Sequence, residues 1–199
     1  MSSYNLVPPR RVTASNLPLP SNVREDEHAE PGVEVKVDTL KTAPLLDGTL
    51  MRTVVATNKQ IPTSNDGHGE LPLDTVPGMG IVLPGGLNMY YLDVAPNTEG
   101  TMHRTTSTDY LVVISGKLSL MTPGSEAYSV QDGKPTYREA VETVCHAGEV
   151  VIQRGMMHAL SNRTNEWVRL LVVVLSSEPN KVPVEGADGH KVLADTWLP

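Results

Sequence analysis

The 199-residue sequence has no phenylalanine, two tryptophans, six tyrosines and one cysteine. The single Cys145 excludes an intrachain disulfide and a metal site built from cysteine alone, and it suits a reducing compartment. With aromatic residues at 4%, the walls of any core fall to Leu, Val and Met. Basic residues are also scarce. Sixteen Lys and Arg face 23 Asp and Glu, so the formal charge is −7 and the basic face that a nucleic-acid partner demands is missing. The longest strongly apolar stretch, residues 170–175, is far too short to span a bilayer. Residues 1–11 hold no apolar run of signal-peptide length. These absences together predict a cytoplasmic protein with no membrane contact.

What is abundant is punctuation. Sixteen prolines and 16 glycines fall mostly between short apolar runs, the pattern of many strands joined by turns, and the prolines interrupt any long helix. Residues 1–32 are rich in Pro, Ser, Asn and charge and read as an extended arm with little structure of its own. A disordered tail and an arm laid on a neighbouring subunit or over an open sheet edge both suit that composition. Val33, Val35 and Val37 alternate with Glu34, Lys36 and Asp38, which predicts a half-buried strand. Further strands are expected at 50–56, 87–94, 110–115, 117–122, 142–146, 149–153 and 167–175, the last almost wholly apolar and so buried in the sheet. Residues 58–79 and 123–135 read as loops, and 187–198 as weakly helical. Many short strands and no internal repeat predict an all-β fold in one domain.

Two segments carry the chemistry. The first runs from Pro96 through His103, Thr105, Asp109 and Tyr110 to Gly116; the second runs from Gly148 through Gln153, Gly155 and His158 to Asn162. Each sets ligand-type side chains at a strand end beside a glycine turn. Two imidazoles and a carboxylate converging in a pocket make a facial triad with open positions, as non-haem iron sites do. Spacing alone does not bring them together. His146 reads as a surface residue, His28, His68 and His190 as loop residues, and Cys145 as ordinary core. One of Gln153 and Arg154 should face inward, and Tyr110 is a candidate proton donor.

These segments resemble the paired motifs of the cupin superfamily, G-x5-H-x-H-x3–4-E-x6-G and G-x5-P-x-G-x2-H-x3-N. His103 matches the first histidine, Asp109 the acidic ligand and Gly116 the closing glycine; Gly155, His158 and Asn162 match the second motif. The departures are Asn97 for the opening glycine, Thr105 for the second histidine, Asp109 for glutamate and Gln153 for proline, and the second motif is one residue short between Gly148 and Gly155. More narrowly, the runs around His103–Tyr110 and Gln153–Ala159, and Pro9-Arg10-Arg11-Val12 in the arm, resemble small fungal and actinobacterial cupins, several of them encoded in polyketide and other secondary-metabolite gene clusters.

The resemblance implies a cupin double-stranded β-barrel, or jelly roll, over residues 33–199, with core motifs in 87–175 and the arm at 1–32. It implies a homodimer and a divalent metal (Fe, Mn or Zn) held by His103, Asp109 and His158, a metal-free pocket being the other outcome of the lost second histidine. The catalytic candidates are His103, Asp109, His158, Tyr110 and Gln153. The implied activity is that of a metal-assisted oxidoreductase or a lyase acting on an oxygenated, polyketide-derived small molecule by dehydration, decarboxylation or isomerisation. A non-catalytic metabolite-binding or structural cupin is the alternative.

Overall fold

The computed structural model of the protein describes residues 3–23, 27–78, 80–186 and 188–198. Among them the chain forms β1 (Arg10–Asn16), β2 (Val33–Thr39), β3 (Ala43–Leu45), β4 (Leu50–Asn58), β5 (Leu87–Val94), β6 (His103–Arg104), β7 (Ser107–Ser115) and β8 (Lys117–Thr122). It continues through β9 (Val130–Gln131), β10 (Lys134–Pro135), β11 (Val141–His146), β12 (Val150–Arg154), β13 (Ala159–Ser161), β14 (Val168–Ser176), β15 (Asn180–Pro183), β16 (His190–Leu193) and β17 (Thr196–Trp197). The only helical residues among those described form two short 3-10 turns, Ser21–Val23 and Leu46–Gly48.

Two antiparallel sheets enclose the core. The larger has the order β12-β7-β14-β5-β4-β3, and the smaller is β11-β8-β13. Backbone bridges Thr98–Asn162 and His103–His158 continue the smaller sheet from β13 to the chain around β6, which in turn pairs with β17. The chain crosses between sheets at β7 to β8 and at β11 to β12, so strands adjacent in sequence end up in opposite sheets. This is a jelly-roll arrangement in two facing sheets. Gly116 makes the first crossing possible: its φ is +81°, and a Cβ there would press to 3.0 Å of the Trp167 carbonyl.

Strand β14 shows why these residues form this sheet. It lies between β5 and β7, with Val168, Leu170, Val172 and Val174 turned inward at 0–3% exposure. Burying each such side chain is worth about 1.5–3 kcal/mol relative to leaving it in water. The alternate residue Arg169 points outward and grips the carboxylate of the fully buried Asp93 through Nε and Nη2, both at 2.7 Å.

The arm is ordered on that outer surface. Tyr4 donates its hydroxyl to Asp93 at 2.6 Å and packs edge-on against Trp167, and Arg169 also donates to the Val7 carbonyl. Arm residues Arg10–Asn16 then pair with Val33–Thr39, a strand neither end of which extends into the main sheets. In this hairpin the expected facing is reversed. Val12, Val33, Val35 and Val37 are 48–64% exposed, while Arg11 turns inward, donating to the Val55 carbonyl and pairing with Asp38. Residues 188–198, read as weakly helical, contain no helix and hold the short strands β16 and β17 instead, and Ala187 lies outside the described residues. Their partners β15 and β6 supply strand edges that short-range sequence periodicity does not register.

Candidate active site

A cavity of about 450 Å³ opens between the two sheets. Period-two alternation decides which side chains reach it. On β7, Asp109 and Leu111 point inward, so Asp109 occupies one position in an otherwise largely apolar row. On β12, Gln153 turns in at 2% exposure and Arg154 turns out. Tyr90 and Leu92 of β5 and Val172 of β14 complete this wall. The opposite wall comes from residues 98–103, His158, Leu160 and Trp197. Gly100 permits its close packing, since a Cβ there would collide with the Leu160 carbonyl.

His103 and His158 are brought face to face by the backbone. Each amide donates to the other's carbonyl at 2.8 Å, and the rings lie 4.4 Å apart between centroids. The Nδ1 of His103 donates to the Thr101 carbonyl at 2.8 Å, and that of His158 to the Met156 carbonyl at 3.0 Å. A carbonyl only accepts, so each Nδ1 carries the ring proton and each Nε2 keeps its lone pair. Trp197 stacks on His103 at 4.1 Å with an interplanar angle of 3°. Burial, aided by the neighbouring His103, pushes the His158 pKa down to about 4 against the opposing Met156 carbonyl. Burial also lowers His103, opposed by the Thr101 carbonyl. Both rings are therefore neutral near pH 7.

Asp109 behaves in the opposite sense. Burial pushes its pKa up to about 6, with Ser107 hydrogen bonding pulling it partway back. Gln153 is its cross-strand neighbour in the β7–β12 register. Asp109 Oδ1 and Gln153 Nε2 are both buried without a hydrogen-bond partner among the described residues, an unmet acceptor beside an unmet donor.

Of the residues singled out in the sequence, His103, Asp109, Gln153 and His158 line this one cavity. Tyr110 does not: it follows Asp109 on the strand, so it faces the outer surface at 38% exposure. Thr105 bonds to Ser107 at 3.0 Å and lines a separate polar crevice with Arg104 and Arg154. The donor set is consequently short for a metal. Two imidazoles are oriented by carbonyls as metal-bound histidines are, but among the described residues no three His, Cys, Asp or Glu side chains gather closely enough to hold an ion. The residues in this arrangement do not fit the implied three-ligand centre.

Among the lining residues that the sequence did not single out are Arg52, Tyr90 and Trp197. Arg52 and Tyr90 were legible in principle, as polar groups alternating with Leu50 and Leu92 on inward faces. Trp197 gave no such signal, because its position depends on a strand pairing 94 residues back, at His103.

No family model matches the chain. It is 34% identical over 111 residues to phomopsin biosynthesis cluster protein D of Diaporthe leptostromiformis, covering 55% of this chain and 50% of that protein. The chain thus spans about half the length of the curated relatives it matches. Its structural neighbours are cupin and double-stranded β-helix proteins. One is a Klebsiella pneumoniae protein with a double-stranded β-helix domain, at TM-score 0.44 and 14% identity over 79% of this chain and 90% of the other. Another is the polyketide cyclase RemF from Streptomyces resistomycificus, at TM-score 0.43 and 14% identity over 75% of this chain and 83% of the other.

Proposed function

We propose that this chain is a cupin-type enzyme of secondary metabolism, a lyase that removes water from an oxygenated, polyketide-type small molecule by proton transfer. The observation that carries this reading is the pair of Asp109 and Gln153, opposed across β7 and β12, which both line a largely apolar cavity and bury an Oδ1 and an Nε2 with no hydrogen-bond partner among the described residues. Similarity over half the chain to a fungal biosynthesis-cluster protein supports the metabolic setting. A carboxylate with a pKa near 6 is a stronger base than a surface aspartate and remains ionised at neutral pH.

In the proposed reaction, Asp109 takes a proton from the carbon between a carbonyl and a carbinol. Gln153 Nε2 donates to the carbonyl oxygen as negative charge grows there. The enolate then expels the hydroxyl group, which receives the proton now held on Asp109, so that water leaves and a conjugated enone remains. The apolar walls Leu92, Leu111 and Val172 keep bulk water from competing for that proton. The two neutral imidazoles supply hydrogen-bond acceptors at Nε2 for a substrate hydroxyl.

The reading includes a homodimer. The hairpin of β1 and β2 turns the apolar side chains of Val12, Val33, Val35 and Val37 to solvent. An apolar face of this kind on a charged, soluble chain suits a second copy.

The test is dehydration of a β-hydroxyketone probe, 4-hydroxy-2-octanone, followed by the rise of enone absorbance. We expect turnover by the unmodified protein, loss of at least about 100-fold in Asp109→Asn, the usual scale of a general base, and little change in Tyr110→Phe. Equal rates in Asp109→Asn and the parent protein overturn the acid–base reading.

A further inference from the structure

The acid–base reading leaves one strongly polar group of the cavity without a task. Arg52 follows Leu50 by two positions on β4, so both side chains turn inward, and both line the cavity. Its strand is held between β3 and β5, with Arg52 opposite Ala43 and Leu92. The guanidinium lies over the Tyr90 ring, with Cζ 5.9 Å from the centroid. That is its one contact of note: among the described residues it has no hydrogen bond and no ion pair.

Three other arginines of the fold are held in ion pairs. Arg11 has Asp38, Arg169 has Asp93, and Arg163 has Glu99 and Glu142. Glu99 also lines the cavity, but Arg163 already holds both of its oxygens. Leu50, two positions before it on β4, and Leu92, opposite it on β5, flank Arg52 on the cavity side. A guanidinium carries five N–H donors, and a half-buried one set among leucines leaves most of them unmet. Its planar fork matches two carboxylate oxygens at once.

The position of Arg52 adds a length to the ligand. Strands β4 and β7 are separated by β5 and β14 in the larger sheet. At ~4.8 Å per strand the three steps cover roughly 14 Å across the wall, and the register sets Arg52 level with Val113, four residues along β7 from Asp109, which adds roughly 13 Å along the strand. Tyr90 lies between them: its phenol is pushed up by burial and by the charge of Asp109, and pulled back by Arg52. One elongated molecule can therefore place an anionic end at Arg52 and its reacting oxygen at Asp109, with apolar carbon between.

We propose that Arg52 is a specificity-determining residue of this cavity and selects apolar molecules that end in a carboxylate. The proposal rests on the cavity being the substrate site, and it is independent of the proton transfer assigned to Asp109.

Binding of octanoate and of 1-octanol, measured by isothermal titration calorimetry, tests it without any turnover. The unmodified protein should bind octanoate at least about tenfold more tightly than octanol, the scale of a charge-assisted hydrogen bond. Arg52→Gln should remove that preference and leave octanol binding within about twofold, while Arg52→Lys, keeping the charge without the fork, restores part of it. Circular dichroism and melting of each variant establish that it is folded, and the octanoate–octanol comparison in the unmodified protein needs no variant at all. Equal affinity for the two probes in that protein, or an unchanged octanoate affinity in folded Arg52→Gln, overturns the proposal. Asp109→Asn serves as the control that separates the two readings. It should retain the octanoate preference, so a failure of dehydration chemistry at Asp109 leaves the selection by Arg52 standing, and the reverse.

Discussion

Asp109 of β7 and Gln153 of β12 stand directly opposite one another, and each buries an unpartnered atom, Oδ1 on the one and Nε2 on the other. Donor and acceptor are neighbours without being bonded to each other. A fold selected only for stability would join them or replace them with apolar groups, because an unsatisfied buried amide costs about 1–3 kcal/mol. Gln153→Leu should therefore be neutral or raise stability by about 1 kcal/mol, read as a higher urea midpoint at unchanged m-value, while cutting dehydration of the ketone probe. Loss of stability comparable to a core cavity would instead make Gln153 a structural residue.

The pH dependence of stability follows from the same carboxyl group. The folded-state pKa of Asp109, about 6, lies above the usual carboxylate value of 3.8, so between these limits the folded protein holds a proton that the unfolded chain has lost. Stability from this group is full below about pH 4 and declines as pH rises to about 6, by about 3 kcal/mol in all. His158 acts in the other direction. Its pKa of about 4 lies below the ordinary 6.5, so its contribution is full above pH 6.5 and is lost on acidification toward pH 4. Asp109→Asn removes the first of these and keeps the second. Melting temperatures across this range should show Asp109→Asn gaining on the parent protein from about pH 4 to pH 7. A constant difference at all pH values rules out the raised carboxyl.

Metal binding gives a sharper test of the histidine pair. His103 and His158 present two Nε2 lone pairs, and Asp109 is not grouped with them closely enough to complete a three-ligand centre. Added Zn²⁺ should bind weakly, be removed by dialysis against a mild chelator, and be lost in His103→Ala and His158→Ala alike. Asp109→Asn should leave its affinity within a few-fold. If that variant weakens zinc as much as loss of either histidine, the carboxylate is a ligand and the three-residue centre forms after all.

The exposed valines of the hairpin bear on assembly. Val35→Glu with Val37→Glu places two charges at positions 62% and 48% exposed in the single chain, so folding should be spared. Light scattering at micromolar concentration should report a dimer for the parent protein and a monomer for the double variant. A parent protein that is monomeric throughout removes the dimer from the proposed function.

Several features were legible because they are written in short-range pattern. The apolar run of β14 and the alternation in β5, β7 and β12 mark strands by period alone, and the facing of Gln153 against Arg154 follows once one side of β12 is buried. The hairpin of the arm shows where period fails. Alternation of Val33, Val35 and Val37 with charged residues specifies two faces, but it does not say which one meets the body of the protein. Arg11, reaching Val55 and Asp38, draws the polar face inward. Residues 188–198 show the other limit, since a strand of two to four residues has too few positions for any period to register.

By itself, then, the sequence determined an all-β chain and named His103, Asp109, Gln153 and His158, because motif spacing and strand period are local properties of the chain. Only the tertiary structure decided what those residues meet. It set His103 against His158 across a backbone bridge between positions 55 residues apart, closed Trp197 over His103, and left Arg52 unpaired in the same cavity. It also turned Tyr110 away from the cavity that His103, Asp109 and His158 line together. Which strands become neighbours depends on how the two sheets share one core, and that burial is summed over the whole chain, so no single segment carries it.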